Sequence, residues 1–77
     1  MQKIRVFSTD VCPYCVALKS FLQENNVEFE ALNVAENMEA QKEMVEKTGQ
    51  LGVPVANIGD QWVVGFDKDK IAKLLGL

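Results

Sequence analysis

The chain has 77 residues, 48% of them hydrophobic, with a formal net charge of −3 and no histidine. A chain this short is expected to form one small domain, 1–77, too apolar for disorder and without the basic surface that neutralises nucleic-acid phosphates. No apolar run approaches the roughly 20 residues of a membrane-spanning helix, so neither a membrane nor nucleic acid is an expected partner.

The opening "MQKIRVFSTD" carries a Lys and an Arg but neither the apolar core nor the cleavage site of a signal peptide. Its "KIRVF" (3–7) reads as a strand. A cytoplasmic location is expected, where a disulfide is more often catalytic than structural. Turn-type Ser8, Thr9 and Asp10 follow. Helical spacing then sets in at Tyr14, Leu18, Phe21, Leu22 and Asn25, with Lys19, Gln23 and Glu24 on the other face. Pro13 suits the first turn, where its missing N–H costs nothing, and Asn25-Asn26 closes the helix.

"VEFEALNV" (27–34) alternates Val27, Phe29 and Ala31 with Glu28 and Glu30, the mark of a half-buried strand. Leu32 and Val34 break the alternation, so its second half is expected to be buried on both faces. A second helix spans 37–48, with Met38, Gln41, Met44, Val45 and Thr48 as its inner stripe and Gly49 as its stop. "GVPVANI" (52–58) is a third strand, interrupted at Pro54. Gly59-Asp60 signals a hairpin into "QWVV" (61–64), with Trp62 read as core. Gly65 breaks that strand, and Asp67 caps a last helix carrying Ile71, Leu74 and Leu75. The order is β-α-β-α-β-β-α, with a right-handed parallel first β-α-β unit and an antiparallel final pair.

"STDVCPYCVALK" (8–19) holds both cysteines, Cys12 and Cys15. A structural zinc site takes four ligands, mostly Cys and His. Two thiols and no histidine complete one only with a second chain. A staple closing so short a loop removes little unfolded-chain entropy. Cys-x-x-Cys at a strand-to-helix turn is a redox spacing. Disulfide exchange needs a thiolate, and helix starts are where thiol pKa values fall from about 8.5 into the range of about 3.5–7.5. Cys12 stands at such a start. Cys15, inside the first turn, is expected to be more buried and to attack a mixed disulfide on Cys12. Lys19 reads either as an electrostatic aid or as a solvated helix lysine.

"CPYC" after a strand, "VP" ahead of a hairpin and Gly65-Phe66-Asp67 opening the last helix resemble the glutaredoxin family. The resemblance spans nearly the whole chain, and CPYC is its specific part. It implies an α/β thioredoxin fold: a four-stranded mixed sheet ordered 2-1-3-4, flanked by three helices. It implies a cis Pro54 beside the dithiol and a Val53 backbone that pairs with the substrate peptide like an added strand. Tyr14 would stand at the substrate rim; the residues alone allow it equally as helix-face core. Gly65, Phe66 and Asp67 would hold one end of glutathione at the helix start. The implied activity is thiol–disulfide exchange on protein or glutathione-mixed disulfides through a Cys12–Cys15 dithiol. It would run in a monomer, without a tightly bound cofactor or metal, with glutathione or a protein dithiol reductase as electron donor.

Two departures bear on the donor. Thr9 stands where many glutathione-using relatives carry a Lys or Arg, and Val64-Gly65 replaces a Gly-Gly pair. "WVVGFDKDKI" also resembles the small redoxins that take electrons from thioredoxin reductase and pass them to ribonucleotide reductase. A second class of reading is an iron–sulfur or zinc-binding dimer, with Cys12 of each chain and glutathione thiols as ligands. A third is an interaction domain with an incidental dithiol. The ultraviolet–visible spectrum of anaerobically purified protein discriminates the second, and a free-thiol titration the third. Met38 and Met44 are read as helix-stripe core.

Overall fold

The computed structural model describes residues 3–77. Its elements are β1 (Ile4–Ser8), α1 (Pro13–Glu24), β2 (Glu30–Asn33), α2 (Met38–Thr48), β3 (Val55–Ile58), β4 (Gln61–Val64) and α3 (Lys68–Leu75). The sheet runs β2-β1-β3-β4, the expected order. β1 pairs parallel with β2 and antiparallel with β3, and β3 pairs antiparallel with β4. This is the thioredoxin fold implied by the sequence.

Strand alternation splits the apolar residues between two cores. Ile4 and Val6 of β1 meet Leu18 and Leu22 of α1 and Ile71 of α3 on one face. Phe7 and Val55 meet Ala40 and Met44 of α2 on the other, with Trp62 half-buried against them. Full burial of side chains such as Leu18 and Leu22 contributes about 1.5–3 kcal/mol each. These contacts fix α1 across the sheet end where β1 stops, which positions everything at Cys12.

The helix stripes differ from the expected ones. In α1 the buried residues are Cys15, Leu18 and Leu22, while Tyr14 is 68% exposed. One residue is about 100° of helix, so a stripe set by Cys15 and Leu18 turns Tyr14 outward. In α2 the buried pair is Ala40 and Met44, and Met38 is 67% exposed. Met38 lies six residues from Met44, about 600° of rotation, and points away from the sheet. The expected core role of Met38 is therefore corrected.

The strands are shorter than, or offset from, the sequence reading. β1 extends through Ser8, which pairs with Asn33 and accepts the Val34 N–H at 2.9 Å. β3 starts only after Pro54, which has no N–H for the ladder. β2 is an edge strand, and its second half is not buried on both faces. Ala31 is exposed, Val27 and Phe29 pack toward α1, and Leu32 and Val34 toward α2.

A polar cluster ties α2 to the hairpin. Arg5 Nη1 and Nη2 donate to both Glu43 carboxylate oxygens at 2.8 Å, and Nε donates to Asn57 Oδ1 at 3.0 Å. The guanidinium covers the Phe7 and Trp62 rings at 5.2 and 5.6 Å from their centroids. Asn57 Nδ2 donates to the Gly59 and Gln61 carbonyls and so holds the turn between β3 and β4. The Arg5 hydrogen bonds hold the Glu43 carboxyl below the usual carboxylate range. Glu43 is 37% exposed, so solvent screens the pair, whereas Asn57 is 4% exposed. Glu43→Gln is therefore expected to cost less than about 1 kcal/mol. Asn57→Ala is expected to cost about 1–3 kcal/mol. Urea unfolding midpoints measure both, and a larger loss from Glu43→Gln would reverse this ranking.

Candidate functional site

The chain leaves β1 at Ser8 and turns into α1 with Cys12 as the N-cap. Cys12 has extended backbone, φ −109° and ψ 109°, and its carbonyl accepts the Val16 N–H at 3.2 Å. Its Sγ accepts the Cys15 N–H, also at 3.2 Å. The sulfur thus occupies the place where a Ser or Asp oxygen caps other helices, facing N–H groups that have no partner inside the helix. The Cys12 thiol in turn makes a long contact of 3.8 Å to the Val53 carbonyl.

Both thiols are free, but their surroundings differ. Cys12 is half-buried and reachable, while Cys15 has no exposed surface. Burial, aided by the neighbouring Cys12 thiol, pushes the Cys15 thiol up to about 11. A backbone hydrogen bond from Thr9 and the charge of Lys19 act in the opposite sense, Lys19 weakest of all. Of the two readings of Lys19, the electrostatic aid is thus a small one directed at Cys15.

The second wall of the site is the turn before β3. The Val53–Pro54 bond is cis, and Pro54 is buried. Its carbonyl accepts the Gly65 N–H at 2.8 Å, which links this turn to the end of β4. Gly65 has φ 82°, a left-handed conformation open to glycine at little cost. Cys12, Val53, Pro54 and Gly65 are thereby joined by direct contacts. Asp67 caps α3, its Oδ1 accepting the Lys70 N–H at 3.2 Å. Phe66 turns its ring inward onto Phe21, with centroids 6.0 Å apart. Tyr14 is exposed one position from the CPYC prolyl turn and not in the core.

Sequence reasoning passed over Gln50 and Gly52, which hold the segment ahead of Val53 through hydrogen bonds between the Gln50 side chain and the Gly52 main chain. The only signal was a Gly-Gln-Leu-Gly run between a helix stop and the "VP" pair. Among the described residues no group of three or more His, Cys, Asp or Glu side chains stands together to hold a metal ion. A metal shared between two chains would draw on Cys12, since Cys15 is fully buried. No helix among the described residues is long and apolar enough to cross a membrane.

Residues 4–63 match the family model described as glutaredoxin. The chain is 42% identical over 72 residues to a glutaredoxin-like 8.6 kDa protein of the rubredoxin operon of Clostridium pasteurianum, covering 94% of this chain and 96% of that one. Among solved structures, the thioredoxin-like protein BC3987 superposes with a TM-score of 0.88 at 32% identity, over 94% of this chain and 99% of the other. The glutaredoxin-like NrdH-redoxin of Escherichia coli superposes with a TM-score of 0.82 at 30% identity, over 94% and 93%.

The contrast between the thiols is directly measurable. Only the thiolate absorbs in the ultraviolet and reacts with alkylating agents, so a raised pKa means less reaction at a given pH. With its thiol pushed up to about 11, Cys15 stays protonated at neutral pH. In a Cys12→Ser variant the thiolate absorbance of Cys15 is expected to titrate above the ordinary 9.0, because burial, the largest cause, survives the substitution. In the unmodified reduced protein, iodoacetamide near pH 6 is expected to label Cys12 first. Peptide mapping that found Cys15 labelled first would reverse the two roles.

Proposed function

The chain belongs to the glutaredoxin family, and from that premise we propose that it reduces protein disulfides through Cys12 and Cys15, with a protein dithiol as its preferred electron donor. Thiol–disulfide exchange is the general activity of the family. The observation that carries the residue assignment is the pairing of a reachable Cys12 sulfur, capped by the Cys15 N–H at 3.2 Å, with a fully buried Cys15 behind it.

The exchange proceeds in two balanced steps. The Cys12 thiolate attacks one sulfur of the substrate disulfide. A Cys12–substrate bond forms, the substrate S–S bond breaks, and the departing sulfur takes a proton from solvent. Cys15 then attacks the Cys12 sulfur. The Cys12–Cys15 bond forms, the mixed disulfide breaks, and the second substrate sulfur leaves with the proton that Cys15 gives up. Substrate gains two electrons and two protons, and the dithiol becomes a disulfide. A Cys15 thiol at about 11 stays protonated in the first step and so does not compete with Cys12 as nucleophile. Negative charge on the Cys12 sulfur, as nucleophile or leaving group, meets the N–H groups of the α1 start.

The Val53 main chain would pair with the extended peptide around the substrate disulfide, with its carbonyl already 3.8 Å from Cys12 Sγ. Tyr14 and Gly65 would flank that peptide. Phe66 and Asp67 would meet it, or glutathione, through the main chain at the α3 start, since the Phe66 ring is packed inward and the Asp67 carboxylate is engaged as a cap.

The donor preference rests on charge. Glutathione carries two carboxylates, and a charge-assisted hydrogen bond is roughly twice as strong as a neutral one. Thr9 offers a hydroxyl where a cation would serve, on a chain of net charge −3. The similarity to the Escherichia coli NrdH-redoxin, described as having a thioredoxin-like activity profile, supports the same preference. Reduction of a small disulfide is expected to run faster with thioredoxin reductase than with glutathione and its reductase. Thr9→Lys is expected to raise the glutathione rate up to about fivefold, the worth of about 1 kcal/mol of exposed ion pairing, and to leave the rate with thioredoxin reductase unchanged. Saturation of the unmodified protein at ordinary glutathione levels, or no response to Thr9→Lys, would remove the argument. Lys19 or the backbone amides of Phe66 and Asp67 would then hold the carboxylate.

A further inference from the structure

We infer that Gln50 is a positioning residue that presents the Val53 main chain to the substrate peptide. The inference rests on the oxidoreductase reading above and identifies what sets its peptide-binding edge.

Helix α2 ends at Thr48, with Gly49 as its left-handed cap. Three residues then lead to Val53, and none belongs to a helix or a strand. The Gln50 carboxamide supplies the missing support. Its Nε2 donates to the Gly52 carbonyl at 3.1 Å, and its Oε1 accepts the Gly52 N–H. Both main-chain polar groups of Gly52 are therefore held by one side chain, as a neighbouring strand would hold them. The clamp is rooted in α2. Thr48 Oγ1 donates to the Met44 carbonyl at 2.7 Å and lies 3.5 Å from Gln50 Nε2, whose N–H it accepts. Met44 is itself fully buried.

Gly52 is suited to this contact in a way no larger residue is. A Cβ there would stand 2.6 Å from Gln50 Oε1, closer than real Cβ contacts come. Its φ lies outside the left-handed region, so the backbone accepts alanine. Glycine at 52 thus serves the close approach of the carboxamide, not a turn conformation. A side chain at 52 would push Gln50 off its two bonds, leaving the fold untouched because Gly52 is exposed.

The clamp acts on the residue next to the one whose carbonyl faces Cys12. With it closed, the edge is ordered before substrate arrives. With it open, residues 50–53 must be ordered on binding, and that entropy is lost from affinity. The effect concerns substrates that use a main-chain edge, meaning disulfides within extended peptides. A small disulfide without a peptide on either side does not sense it.

Single-turnover reduction by the pre-reduced protein tests this, with insulin as the peptide disulfide and hydroxyethyl disulfide as the small one. Gln50→Ala and Gly52→Ala are each expected to raise the half-saturating insulin concentration about five- to tenfold at an unchanged limiting rate. Gln50→Glu keeps the acceptor, loses the donor, and is expected to behave like Gln50→Ala. Hydroxyethyl disulfide reduction and Cys12 alkylation by iodoacetamide are expected to hold at the unmodified rates. The double variant is expected to be no worse than either single one, because both open the same clamp. Unchanged insulin kinetics in either single variant, multiplicative losses in the double, or an equal loss with hydroxyethyl disulfide each overturn the inference. If the unmodified protein reduces hydroxyethyl disulfide but not insulin, the peptide edge is wrong and the oxidoreductase reading stands. If it reduces neither, that reading fails and takes the inference with it.

Discussion

The N–H of Cys15, directed at the Cys12 sulfur 3.2 Å away, is the contact on which the rest of the site depends. It exists because a helix begins there, and a helix start presents donors that its own ladder cannot use. Cys12 takes the role of cap with a sulfur instead of an oxygen. Everything that keeps α1 in place therefore also serves the sulfur: Leu18 and Leu22 buried against Ile4 and Val6, and β1 stopping at Ser8. Core and chemistry share one set of supports at this end of the sheet.

The two thiols have one sequence spacing and opposite surroundings. Helical geometry produces the difference without any charged partner. Cys12 lies before the first turn, at the mouth, and Cys15 lies on the inner stripe with Leu18 and Leu22. Burial alone is the largest cause of the raised Cys15 thiol. In the exchange proposed above, the order of events would follow from position along a helix and need no base of the kind that histidine supplies elsewhere. The opposite wall is built differently: there the Val53 carbonyl is reached through a loop fastened by side-chain amide and hydroxyl groups running back to α2.

The Gly59-Asp60 hairpin and the Asp67 cap were legible in the sequence because each rests on local chemistry, a turn pair and a capping carboxylate, whereas the sheet order came through the resemblance carried by CPYC, the VP pair and Gly65-Phe66-Asp67. Periodicity served less well. Tyr14 and Met38 are large and apolar at positions compatible with a stripe, yet the true stripes are set by Cys15 and by Ala40, small residues that carry little hydrophobic signal. The alternation in 27–34 was real, but which strand lies at the sheet edge is a tertiary fact, so the exposure of Ala31 had no local cause to read. Gln50 stayed invisible for a similar reason: a carboxamide bonding two residues ahead depends on loop geometry that composition does not encode.

The sheet order carries one more consequence, for how the molecule behaves in company. Among the described residues, β2 and β4 each have an outer flank with no neighbouring strand, the arrangement through which chains join into extended sheets. Each is only four residues long. β2 carries Glu30, follows Glu28 and ends at Asn33, while β4 begins with Gln61 and is cut off by Gly65. A foreign strand would find a ladder of four residues at most, with like charges or a bend at its ends. Brevity at the margins thus lets a sheet open on both sides remain a poor template for accretion.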